Sequence, residues 1–152
     1  MLIKFLKNLF NIGIKTLGVL TDVVPEYKTP YSACFDLVSN ESHKFQNGEL
    51  YVLGTGLRVE IPEGYCLLVF LRSSIGLSRL VIPNSVGVID SDYRGEIKVP
   101  LLSFNEGEFE IYKGQRIAQA MLVKLTKANI IKRERLSQTE RGEGGFGSTG
   151  VF

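Results

Sequence analysis

Five short stretches of this sequence carry residue types that can do chemistry. The last twelve residues, Arg141–Phe152, read RGEGGFGSTGVF, with five glycines within ten positions. So many glycines cannot hold a regular element, but they let backbone N–H groups come close to phosphate oxygens. Arg141 adds a planar fork suited to a phosphate. Phe146 adds a face on which a base can stack, and Ser148 and Thr149 add hydroxyls. The segment reads as a lid that orders on an anionic, aromatic ligand.

Upstream, Arg72-Ser73-Ser74 follows an apolar run, and its guanidinium, two hydroxyls and turn amides suit a polyphosphate. Residues 84–98 read NSVGVIDSDYRGEIK, in which Asp90 to Gly95 resembles a hairpin tip. A carboxylate there, Asp90, could orient and deprotonate a water. Gly114-Gln115-Arg116-Ile117-Ala118-Gln119 opens a further strand-like run. Gln115 and Gln119 could reach phosphates or metal-bound waters, and Arg116 could pair with an internal carboxylate. Asp36 lies inside the apolar run SACFDLV. A buried carboxylate is costly without a partner, so Asp36 is either paired with an arginine or part of a metal shell.

The elements that must position these groups read as strands. Leu50–Leu53, Leu57–Ile61, Tyr65–Leu71, Leu80–Ile82, Glu96–Leu102, Phe109–Tyr112 and Ile117–Leu125 are rich in Val, Ile, Leu and aromatics. Gly, Pro and Asn punctuate them. That spacing predicts an all-β sandwich or barrel, with no alternating strand–helix rhythm. The 152 residues fit one such domain, and 44% hydrophobic with 22% charged residues is ordinary for a globular chain.

Other classes find little support. A net charge of +2 lacks the basic excess of general nucleic-acid binders. Cys34 and Cys66, both in apolar stretches, read as buried free thiols and point to a reducing, cytoplasmic compartment. His43 reads as a solvated loop residue, which leaves no histidine triad and no zinc pattern. Residues 1–14, MLIKFLKNLFNIGI, have helical polar spacing and are expected to form an amphipathic helix packed on the protein or a frayed terminus, in preference to a basic helix lying on a membrane surface. Lysines interrupt that run, which argues against a signal peptide, and no stretch is long enough to span a membrane.

Taken in order, the motifs resemble one family. They are Ala-x-x-Asp-Leu (33–37), Arg-Ser-Ser (72–74), Gly-x-Ile-Asp-x-x-Tyr-Arg-Gly (87–95), Gly-x-Arg-Ile-Ala-Gln (114–119) and Arg-Gly-x-Gly-Gly-Phe-Gly-Ser-x-Gly (141–150). The pattern is similar to the five-motif signature of the trimeric deoxyuridine triphosphatases, and it spans about Val24 to Gly150. The resemblance implies a jelly-roll-like distorted β-barrel, assembled as a homotrimer, with a flexible C-terminal arm. The expected organisation is an extension at 1–16, a barrel at 17–136 and an arm at 137–152 that closes over a site formed by other subunits.

The resemblance also implies hydrolysis of dUTP to dUMP and pyrophosphate, which limits uracil in DNA and supplies dUMP for dTTP synthesis. Asp90 would hold the water that attacks the α-phosphorus, and Tyr93 would lie against the deoxyribose and exclude a 2′-hydroxyl. Backbone groups from Val88 and Ile89 to Lys98, with Asn84 nearby, would read uracil. Arg72, Ser73, Ser74 and Gln119 would contact phosphates. Arg141, Gly147, Ser148 and Thr149 would grip the terminal phosphate under a Phe146 cover. Asp36, Gln115 and Arg116 would be structural or outer-shell. Mg²⁺ would be held mainly through the substrate phosphates, in keeping with the lack of an acidic cage. Stable nucleic-acid binding is not expected, and the compartment would be the cytoplasm, of the host if the source is viral.

The sequence departs from the family pattern at Ser74, where many members have glycine, at Leu71, a frequent proline, and at Cys34, usually glycine. These bear on local backbone geometry rather than on the reaction. Two other readings compete: a dCTP deaminase of the same fold, with Glu96 as proton carrier, and a nucleotide-sensing regulatory protein.

Overall fold

The structure, a computed structural model, describes residues 15–150. The amphipathic helix expected at the N-terminus lies outside them. Among the described residues ten strands follow one another, with a single helical turn between the fifth and sixth. They are β1 Gly18–Leu20, β2 Phe35–Val38, β3 His43–Phe45, β4 Leu50–Glu60, β5 Tyr65–Leu71, α1 Ser73–Gly76, β6 Leu80–Val81, β7 Gly87–Ile89, β8 Glu96–Ser103, β9 Phe109–Ile111 and β10 Arg116–Lys124. Two four-stranded antiparallel sheets, ordered β1-β4-β8-β6 and β2-β10-β5-β7, are accompanied by a two-stranded β3-β9 ribbon. This is the all-β, jelly-roll-like architecture that the sequence implies.

Period-two alternation builds the core. On β8, Ile97, Val99, Leu101 and Ser103 point inward, and on β4 Leu53, Thr55, Leu57 and Val59 meet them. Leu67 and Val69 of β5 and Ile117, Ala118 and Ala120 of β10 supply the facing layer. Because β2, β10 and β5 are neighbours, the residues between these inward ones share the outer face. Gln119 stands opposite Asp36 on one side and Phe70 on the other. A bulge sets two residues of β10, from Arg116 to Ala118, against one step of β2, from Val38 to Leu37. Such bulges re-aim side chains, and here Arg116 reaches Asp36.

Three expectations are corrected. Leu50–Leu53 and Leu57–Ile61 are one strand, because Gly54 and Gly56 are absorbed in an irregularity of β4 rather than ending it: Gly54 pairs with Lys98 and Arg58 with Glu96, four steps against two. His43 is not a solvated loop residue. It lies in β3, stacks on Tyr51 at 3.6 Å between ring centroids, and bonds Glu49 at 2.9 Å. The Asp90–Gly95 segment is not the tip of a paired hairpin, since β7 pairs with β5 and β8 with β4 and β6. It is a turn that carries the chain from one sheet to the other.

After Lys124 no strand or helix forms among the described residues, and almost every residue to Gly150 is exposed. Among the described residues no helix is long and apolar enough to cross a membrane. Ile117 is fully buried between the two sheets. Ile117→Ala is expected to lower stability by about 2–5 kcal/mol, measured by chemical denaturation.

Candidate active site

On the outer face of β2, β10 and β5, Asp36 holds two guanidiniums. Arg72 Nε forms an ion pair with its Oδ1 and an Arg116 terminal nitrogen donates to its Oδ2, each at 2.9 Å. The Asp36 side chain is only 13% exposed, so both oxygens need these partners. Of the two roles open to Asp36, arginine pairing is the one realised in this structure. Arg116, expected to be structural, meets the internal carboxylate foreseen for it.

These groups edge an open cavity of about 290 Å³, into which Ser73, Gln119 and Lys28 also face. Arg72 and Arg116 against Asp36 leave the cavity net positive, with Lys28 at its edge paired to Glu26, and this suits a polyphosphate. The Gln119 amide donates to the Leu71 carbonyl at 3.4 Å. Ser74 lies one step further along α1, exposed and outside the cavity lining. Gln115 is not in the cavity: its Oε1 accepts from the Tyr112 N–H at 3.0 Å and closes the turn before β10. Lys28 was not foreseen; its only sequence signal is a cation shortly before the Asp36 strand. Cys34 also lines the cavity, half-buried rather than buried, and burial first, then the nearby Asp36 charge, pushes its thiol up.

The second group of residues lies on the turn between the sheets. Asp90 is exposed and makes no ion pair among the described residues. Its carbonyl accepts from the Tyr93 N–H at 3.2 Å. Tyr93 folds back over Gly95, where a Cβ would stand 2.2 Å from the phenol oxygen. That oxygen donates to the Glu96 carbonyl at 2.9 Å. The glycine in Tyr-Arg-Gly is therefore required by the ring above it. Arg94 turns away, toward Ser91 and Glu60. Val88 is 61% exposed, Asn84 and Lys98 are exposed, and Ile89 packs against the core.

The third group is on the terminal segment. Its hydrogen bonds are all local: Gly142 to Thr139, Gly144 to Arg141, Ser148 to Gly145 and Gly150 to Gly147, with Arg141 Nε donating to the Gly144 carbonyl at 2.9 Å. Phe146 is fully exposed at φ +49° and Gly147 follows at φ +91°. Thr149 and Ser148 are likewise exposed. The chain thus brings Arg72, Ser73, Arg116, Gln119 and Asp36 together, while Asp90 and Tyr93 do not line that cavity and the Arg141–Thr149 group touches neither.

Of the carboxylates near these groups, Asp36 is taken by arginines. Glu96 Oε1 accepts from the Gly56 N–H at 2.8 Å and from the Asn40 amide at 3.2 Å. Asp92 lines a different cavity with Glu60 and Arg94. Asp90 and Asp92 are both exposed on this turn and make no ion pair among the described residues, so each is open to accept a proton from water. Glu96 is committed to the backbone of β4, which weakens the deaminase reading.

Comparison with known proteins agrees with this geometry. The sequence model of the dUTPase family matches residues 22–150. The chain is 47% identical over 129 residues to the deoxyuridine 5′-triphosphate nucleotidohydrolase of Nautilia profundicola, covering 84% of this chain and 91% of that one. It is 45% identical over 132 residues to the protein of the same name from Chlamydia pneumoniae, with the same coverage. Among solved structures, the dUTPase of Staphylococcus bacteriophage 80alpha with dUPNHPP superposes with a TM-score of 0.83 at 29% identity, over 91% of this chain and all of that one.

Asp36→Asn removes the charge that joins Arg72 and Arg116. It is expected to cost about 1–3 kcal/mol of stability, read as a lower denaturation midpoint. An unchanged midpoint would show that the arginines hold their places without it.

Proposed function

We propose that this chain, which belongs to the dUTPase family, hydrolyses dUTP to dUMP and pyrophosphate. The observation that carries the mechanism is the division among carboxylates: Asp36 and Glu96 are spent on internal partners, and Asp90 is open. In this reading Asp90 orients a water and takes its proton as the oxygen bonds to the α-phosphorus. The bond from that phosphorus to the bridging oxygen of the β-phosphate breaks, and pyrophosphate leaves. Arg72, Ser73, Ser74 and Gln119 hold the phosphates, with Arg116 and Lys28 adding positive charge beside them. Positioning and charge stabilisation supply most of the rate in such chemistry.

Tyr93 borders the deoxyribose, and the backbone around Val88, Ile89 and Lys98, with Asn84, reads the uracil edge. A base with mismatched donors leaves polar groups unpaired, which is the basis of selection against cytosine. Arg141, Gly147, Ser148 and Thr149 close on the terminal phosphate, and Phe146 covers the base. Closure also excludes bulk water.

Among the described residues no group of three or more His, Cys, Asp or Glu could cage a metal, and the Asp36 oxygens are occupied by arginines. Both features fit Mg²⁺ carried on the substrate's phosphate oxygens and on water. The chemistry it supplies when bound is neutralisation of the triphosphate charge.

The active unit we propose is a homotrimer with shared sites. Its support is that the phosphate cavity, the Asp90 turn and the terminal segment stand apart on one chain, and that Ile130, Leu136 and Phe146 are exposed on a segment without a core of its own. Residues 1–16 form an extension, 17–136 the barrel and 137–152 the arm. The chain works in the cytoplasm, limits uracil in DNA and supplies dUMP.

Pyrophosphate release is expected to be fastest from dUTP among dUTP, dCTP, dTTP and UTP, and to depend on Mg²⁺. Reaction in ¹⁸O-water should label dUMP and not pyrophosphate. Asp90→Asn should lower kcat by about 10²–10⁴ with the fold retained. Ammonia released from dCTP, or label in pyrophosphate, would contradict the assignment.

A further inference from the structure

Glu96 does more than open β8. Its carboxylate accepts from the Gly56 N–H and the Asn40 amide, and its other oxygen stands 4.0 Å from Lys98 Nζ. Its own backbone carbonyl receives the Tyr93 hydroxyl. One residue therefore fixes the phenol at one end and grips the β4 irregularity at the other.

The grip is tight. A Cβ at Gly54 would lie 2.7 Å from the Asn40 side-chain oxygen and 2.8 Å from Glu96 Oε1, so any larger residue there must displace these two side chains. Gly56 has φ +66°, a left-handed conformation that also favours glycine. The Asn40 N–H donates to the Gly54 carbonyl at 3.0 Å. From the buried side Thr55 Oγ1 donates to the Ile97 carbonyl at 2.6 Å. The start of β8 is thus sewn to residues 54–56 from both faces. The Glu96 side chain is 22% exposed, so its hydrogen bonds are partly shielded from competing water.

We infer that Glu96, held by Asn40 and the Gly56 N–H, is the positioning residue that sets where Tyr93 stands, and through it the selection of deoxyribose over ribose triphosphates. This rests on the reading that Tyr93 borders the sugar. If the Glu96 carboxylate is lost, the carbonyl that anchors the phenol is free to shift, and the ring no longer blocks a 2′-hydroxyl as closely. Such a shift changes the ratio of two substrates, whereas a loss of stability alone lowers both together.

The test is kcat/KM for dUTP and for UTP in wild type, Glu96→Ala, Glu96→Gln and Gly54→Ala. Glu96→Ala should lower the dUTP-to-UTP ratio by about tenfold. Glu96→Gln keeps an oxygen at the place of Oε1, where it can accept from both the Gly56 N–H and the Asn40 amide, so its ratio should stay within about threefold of wild type. Should Glu96→Ala fail to fold, Gly54→Ala pushes on the same two side chains without removing a bonding group and must shift the ratio the same way. A wild-type ratio in Glu96→Ala or in Gly54→Ala, or a Glu96→Gln ratio no better than that of Glu96→Ala, overturns the inference. A wild-type enzyme that does not prefer dUTP over UTP instead fails the sugar reading itself, and the inference with it.

Discussion

Asp36 stands between two guanidiniums, 2.9 Å from each. A cavity that gathers cations sets like charges at short range, where they repel one another. One half-buried carboxylate beneath Arg72 and Arg116 relieves that repulsion and fixes both side chains, and two guanidiniums against it still leave the cavity net positive. The arrangement depends on β10 lying between β2 and β5, and on the bulge that swings Arg116 toward Asp36. The sheet order and the site are the same constraint viewed from two sides.

A second division follows. A carboxylate held in place by internal partners is not free to turn toward a water. Asp36 and Glu96 are structural in that sense, one beneath the cations and one against β4. Asp90 lies on a turn between sheets, where no ladder partner fills its oxygens. The fold separates the two kinds of acid by placing one kind on strands and the other at a crossing between them.

Much of this was legible in the residues. Tyr65–Leu71 matches the observed strand end to end, because a continuous apolar run bounded by Pro62 and Arg72 has few other outcomes. The motif order located the cavity residues Arg72, Ser73 and Gln119. What was not legible depended on distant pairing. Gly54 and Gly56 read as a break because local sequence cannot show that Asn40 and Glu96 press against them. His43 read as a loop because Tyr51, which covers its ring, comes from another strand. The turn after β7 read as a hairpin because nothing nearby tells that its two flanks belong to different sheets. Short strands such as β1 and β7 carry too little periodicity to be seen alone.

The central claim is that no single chain completes a site: the Asp90 turn, the phosphate cavity and the terminal segment must come from different copies. Mixing two inactive variants tests it directly. One is Asp90→Asn with its arm intact; the other retains Asp90 but lacks residues 141–152. After unfolding together and refolding, mixed assemblies should regain part of the wild-type rate of pyrophosphate release from dUTP, because an arm from one chain can close over an Asp90 from another. A mixture as inactive as its components would contradict the account.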